Sequence, residues 1–143
     1  MTKKPLIGLL FVFALLAGCA PEPHPSTYAD LVKAYRAAHR AKSIGGIDRL
    51  IYWGSMPQKD KDRILRGIAA SFDKTISTAE IGDLESDFKM QSGTYIFPFQ
   101  PEKTLRVSFE NPGNKGGQLV GTEYSVGLKN GMAWILYRSE DVE

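Results

Sequence analysis

The chain has 143 residues, with 18 Lys and Arg against 16 Asp and Glu and a single cysteine. That length is enough for one domain with one core. The near balance of charge gives no general electrostatic support for a nucleic-acid partner, and one cysteine excludes an intramolecular disulfide and a cysteine-based metal site.

Two lysines, Lys3 and Lys4, precede an apolar run from Leu6 to Gly18. As a helix this run reaches roughly 20 Å, short of the ~30 Å hydrocarbon core, so it does not span. A basic head, a short apolar middle and a small-residue end are the parts of a secretory signal peptide. The end here, Leu16-Ala17-Gly18-Cys19, resembles the lipobox of bacterial lipoproteins. The resemblance implies a diacylglyceryl thioether on the Cys19 sulfur, cleavage just before Cys19 and acylation of the new amino group. Sulfur is the nucleophile that makes such a bond, and two or three acyl chains anchor stably where one binds marginally. Ala20 follows, not the aspartate that retains many such proteins at the inner membrane, so the implied location is the outer membrane, facing the periplasm. Residues 1–18 are then the signal peptide, 19–26 the lipidated cysteine and tether, and 27–143 a single domain. Loss of Lys3 and Lys4 leaves 16 basic residues against 16 acidic ones.

In the tether, Pro21, Pro23 and Pro25 alternate with other residues and hold the chain extended over roughly 20 Å. His24 reads as a solvated spacer rather than a metal ligand or base. The next segment places Tyr28, Leu31, Val32, Tyr35, Ala38 and His39 on one helical face, and Thr27 with Asp30 resembles a capping pair. Lys33, Arg36 and Arg40 line another face, read as a solvated stripe, with contact to anionic headgroups as the alternative.

Gly45-Gly46 is expected to break that helix, and Ile47, Leu50, Ile51 and Trp53 to form a short apolar helical patch ended by Gly54. Ser55 or Met56 is the expected cap of a third helix, with Pro57 near its start and a buried stripe of Ile64, Leu65, Ile68, Ala69 and Phe72. Beyond Asp73 the period changes from 3.6 to 2. Strands are expected at Ile76 to Ile81, at Thr94 to Phe99, where Pro98 argues for an edge or bulge, at Leu105 to Phe109, and at Val120 to Val126. Asn130-Gly131 lies between two apolar runs and is a strong hairpin signal.

Helices followed by a strand meander predict an α+β domain, with N-terminal helices packed on a curved antiparallel sheet of four to five strands. This order resembles the cystatin-like and nuclear-transport-factor-two-like rolls over residues 27 to 138, an architectural likeness that lends a fold and no function. Cystatins present a Gln-x-Val-x-Gly hairpin to proteases. In Gln118-Leu119-Val120-Gly121 the glycine comes one position early, so the segment reads as the start of a strand. The preceding loop, Asn111 to Gly117, lacks the Gly-Lys-Ser/Thr end of a phosphate cradle and reads as a connection.

The chain has no HExxH and no GxSxG, and no metal or cofactor is expected. The candidate pocket groups Tyr35 and His39 with Asp48, Tyr52 and Trp53, in which His39 beside Asp48 would be a general base. Two classes of function stand. The favoured one is a non-catalytic, lipid-anchored module that binds an envelope protein or glycan, with Tyr95, Tyr124 or Trp134 as exposed anchors. The other is a small-ligand binder or weak enzyme using the pocket near His39 and Asp48.

Overall fold

The computed structural model describes residues 22–84, 97–110 and 120–138. Its element order is α1 (Tyr28–Arg40), α2 (Ile44–Asp48), β1 (Ile51–Tyr52), α3 (Gln58–Ala69), β2 (Ile76–Asp83), β3 (Lys103–Phe109), β4 (Val120–Lys129) and β5 (Met132–Leu136). The class is α+β, as the sequence predicts. Three helices accompany one five-stranded sheet of order β1-β5-β4-β3-β2 that does not close into a barrel. The sheet is mixed rather than wholly antiparallel, because β1 pairs in parallel with β5 through Ile51↔Ile135 and Tyr52↔Leu136.

Thr27 caps α1 as expected, its hydroxyl accepting from Asp30 N–H at 3.1 Å. The helix ends earlier than the glycine pair suggests. Lys42 adopts φ +52°, its N–H bonds to the His39 carbonyl, and Ser43 N–H bonds to the Ala38 carbonyl at 2.9 Å. This is a Schellman termination with a lysine where glycine is usual. Gly45 and Gly46 lie inside α2 instead. There a Cβ on Gly46 would fall 2.9 Å from the Ala38 Cβ, so the glycine permits the close crossing of α1 and α2.

Two further expectations are corrected. Ile51 and Tyr52 form a strand, not a helical patch, because the β-branched and aromatic pair meets the open edge of β5. Pro57, not Ser55 or Met56, is the N-cap of α3, and no side chain caps it. Of the expected strand at 94–99, residues 94–96 lie outside the described residues, and 97–99 are not strand. Gln118, Leu119 and the loop from Asn111 to Gly117 also lie outside them.

One face of the sheet carries Leu105, Val107, Phe109, Tyr124, Val126, Ala133 and Ile135, and it packs against Leu31, Tyr35 and Ala38 of α1, Ile47 of α2 and Ile68 of α3. The opposite face is covered in part by the segment through Phe99. A Cβ on Gly127 would sit 2.8 Å from the Phe99 ring, so only glycine admits that ring. Asn130 and Gly131 close the β4–β5 hairpin with φ +53° and +72°, the signature of a type I′ turn.

Candidate functional site

The five residues grouped by the sequence divide among three places. Tyr35 and His39, one turn apart on the inner face of α1, stack at 6.2 Å between ring centroids. Tyr35 is fully buried, and its hydroxyl shares a hydrogen bond of 3.0 Å with that of Tyr124. Trp53 stacks on Tyr137 at 6.1 Å, and Tyr137 meets Tyr124 edge to face. Trp53 thus touches the tyrosine cluster from its rim. Asp48 is exposed and accepts from Trp53 Nε1 at 2.8 Å. Tyr52 lies against Phe99 and Trp134 at 5.2 and 5.3 Å, with Lys129 Nζ 4.5 Å from its ring centroid and 3.0 Å from its hydroxyl.

His39 is therefore not oriented by Asp48. Its Nε2 contacts the Ser71 carbonyl at 3.1 Å and the Ser71 hydroxyl at 3.2 Å. A carbonyl only accepts, so Nε2 carries the proton. The Ser71 hydroxyl in turn donates to the Ile68 carbonyl at 2.6 Å. The rings of Phe72 and Phe109 enclose the imidazole at 5.3 and 5.5 Å, and burial pulls its pKa below the ordinary 6.5. Burial likewise raises the ionisation of Tyr35, Tyr124 and Tyr137 above the ordinary phenol range, with mutual repulsion adding to it for Tyr35 and Tyr137. The cluster is neutral at physiological pH.

Three clefts open beside these groups. A volume of about 250 Å³ lies between the C-terminal half of α1 and residues 72–76, with His39 in its wall. A second, about 330 Å³, separates α3 from the sheet over Tyr124 and Tyr137. A third, about 420 Å³, runs between residues 22–25 and the alanines of α1. Among the described residues no group of three His, Cys, Asp or Glu side chains is placed to hold a metal ion, and no helix is long and apolar enough to cross a membrane.

Of the aromatic side chains expected to be exposed, Tyr124 is buried and hydrogen-bonded inside the core. Trp134 is half-buried under His24, the two ring centroids lying 3.7 Å apart. Tyr95 lies outside the described residues. His24 is thus not a free spacer. Its Nε2 also reaches the Ala133 carbonyl at 2.8 Å, and the Pro25 carbonyl accepts from Ala133 N–H at 2.9 Å. The sequence reads Trp134 as an exposed anchor, and nothing in it names His24 as the cover of that ring. Compared with known proteins, the chain matches no family profile, no curated protein and no solved structure.

Proposed function

We propose that this chain is a lipid-anchored protein of the bacterial envelope, held through Cys19 at the outer membrane and working there as a non-catalytic binding module. The observation that carries the reading is the docking of the segment that follows the lipobox-like Leu16-Ala17-Gly18-Cys19. Residues 24 and 25 bond to Ala133, beside Met132 at the β4–β5 hairpin. Only four residues then lie between Cys19 and His24, and the five Cα–Cα steps reach at most about 18 Å. An anchor this short keeps the hairpin end close to the bilayer. Leu128 and Met132 are 41% and 38% exposed there, which suits contact with the lipid interface. The commitment of His39 Nε2 to Ser71, with Asp48 engaged elsewhere, supports a packing role for the imidazole rather than base catalysis.

The test is chemical crosslinking of the tagged, lipidated protein in intact cells, followed by recovery from detergent-solubilised envelopes. An envelope protein or glycan recovered with the wild type and lost with Cys19→Ala supports the reading. Recovery of the same partner with the unanchored variant at the same level contradicts the role given to the anchor.

A further inference from the structure

The end of the sheet remote from the hairpin carries a feature that the anchor does not explain. Arg36 and Arg40, one turn apart on α1, and Lys42 in the turn after it face Asp73 and Lys74 across the cleft of about 250 Å³. Four basic side chains thus meet one carboxylate, and that carboxylate is engaged: Lys42 Nζ lies 2.6 Å from Asp73. Arg36 and Arg40 form no ion pair among the described residues, whereas Lys33 on the same helix pairs with Asp30. A like-charged pair four residues apart disfavours a helix. The helix dipole favours a cation near the last turn and accounts for Arg40. It does not account for Arg36 a turn earlier, and Lys74, across the cleft, holds its Nζ 5.9 Å from the centroid of the Phe109 ring. His39 adds the last group. Its Nε2 is committed to Ser71, and Nδ1 has no partner among the described residues. No fully buried side-chain polar atom is left without one, so Nδ1 retains access to the cleft that His39 lines.

We propose that this cleft binds a phosphate-bearing anion, gripped by Arg36 and Arg40 with Lys74 opposite, while the unprotonated His39 Nδ1 in the wall can only accept from the P–OH of a monoprotonated phosphate. Guanidinium groups match phosphate oxygens bidentately, and a phosphomonoester carries about −1.5 to −2 charges at pH 7. A dianion fits this charge excess better than a monocarboxylate does. The volume lies below the ~300–1,000 Å³ of sites for drug-sized ligands, which suits a phosphate on a small substituent. Location separates the possible sources. His39 packs on Phe109, which pairs with Val120, whereas the tether meets Ala133, which pairs with Leu128. Those points are eight residue steps apart along β4, about 26 Å. A free phosphate or small phosphate ester is therefore better placed than a headgroup of the anchoring leaflet.

The test follows the His39 imidazole resonances of the full chain in detergent micelles as inorganic phosphate replaces chloride at constant ionic strength. A parallel titration uses phosphatidylcholine vesicles with and without phosphatidate. The expected result is a saturable shift with inorganic phosphate. It should weaken at least tenfold in the Arg36→Gln/Arg40→Gln variant and stay unchanged in Lys33→Gln, which keeps a cationic helix but alters a residue outside the cleft. Response to phosphatidate vesicles alone would keep the anion site and assign it to a headgroup. No saturable shift with either probe would overturn the proposal, as would equal weakening by Lys33→Gln. Circular dichroism of each variant checks that the fold is retained, and the outcome does not depend on Cys19 being lipidated.

Discussion

The N–H of Ala133 donates to the Pro25 carbonyl at 2.9 Å, while the His24 ring covers Trp134 at 3.7 Å. A proline-rich segment that reads as a free spacer is thereby fastened to the outer edge of β5. Two residues further along, Ile135 N–H donates to Leu50 next to β1. Pro25 and β1 together occupy an edge that would otherwise expose unpaired donors.

This fastening predicts a local change in hydrogen exchange. In His24→Ala the stacking and the bond to the Ala133 carbonyl are lost, and one such bond contributes about 0.5–1.5 kcal/mol. The Ala133 amide should then exchange roughly tenfold faster, as about 1.4 kcal/mol corresponds to tenfold. The Ile135 amide, held by Leu50, should keep its rate. Equal acceleration of both would mean that the segment and β1 open as one unit.

The Tyr35–Tyr124 bond is buried on both sides. Tyr35→Phe leaves the Tyr124 hydroxyl short of one partner, so it should cost about 1–2 kcal/mol in urea unfolding. Tyr35→Phe/Tyr124→Phe should cost less than the sum of the single changes. In an ultraviolet titration, Tyr35, Tyr124 and Tyr137 should stay un-ionised while exposed phenols titrate. Their folded pKa values are raised, so the unfolded chain releases these protons first and stability should fall as pH rises through about 10.

His39 has the opposite dependence at the acid end. Its folded pKa is lowered by burial, so the unfolded chain takes up the proton first. Stability should therefore decline as pH falls from 7 through 6.5 and level off once pH passes below the folded value. Chemical denaturation of His39→Gln should show a flatter slope between pH 7 and 5 than the wild type, whatever its absolute stability.

Lys42 at φ +52° pays the steric cost that glycine avoids. Lys42→Gly should raise stability by about 0.5–1 kcal/mol, because the ion pair to Asp73 that it forfeits is largely solvent-exposed. A drop in melting temperature would show that the ion pair outweighs the backbone strain.

Much of the architecture was legible because periodicity reports the face that is buried. The stripe of Leu31, Tyr35, Ala38 and His39, the alternation of Leu105, Val107 and Phe109, and the Asn130-Gly131 turn all appear where their spacing places them. The misread parts depend on tertiary partners. Ile51 and Tyr52 become a strand only because β5 presents a free edge. Gly45-Gly46 looks like a break but serves a helix crossing, and α1 ends instead on a residue that seldom takes that conformation. At the site, the burial of His39 followed from its stripe. Its partner did not, since Ser71 lies 32 residues away and carries no pattern, whereas Asp48, the carboxylate expected beside it, bonds to Trp53. The cation cluster was half visible as Arg36 and Arg40, and the opposing wall at Lys74 appears only when the link between α3 and β2 lies beside the end of α1.

Lipid anchoring at Cys19 is decided by the intact mass of the protein purified from envelopes of its native host, together with that of Cys19→Ala. Such anchoring predicts a chain beginning at Cys19 and heavier by a thioether-linked diacylglyceryl group and an amide-linked acyl chain, with uncleaved precursor for the variant. A mature chain with an unmodified Cys19 thiol, or a variant processed like the wild type, would contradict it.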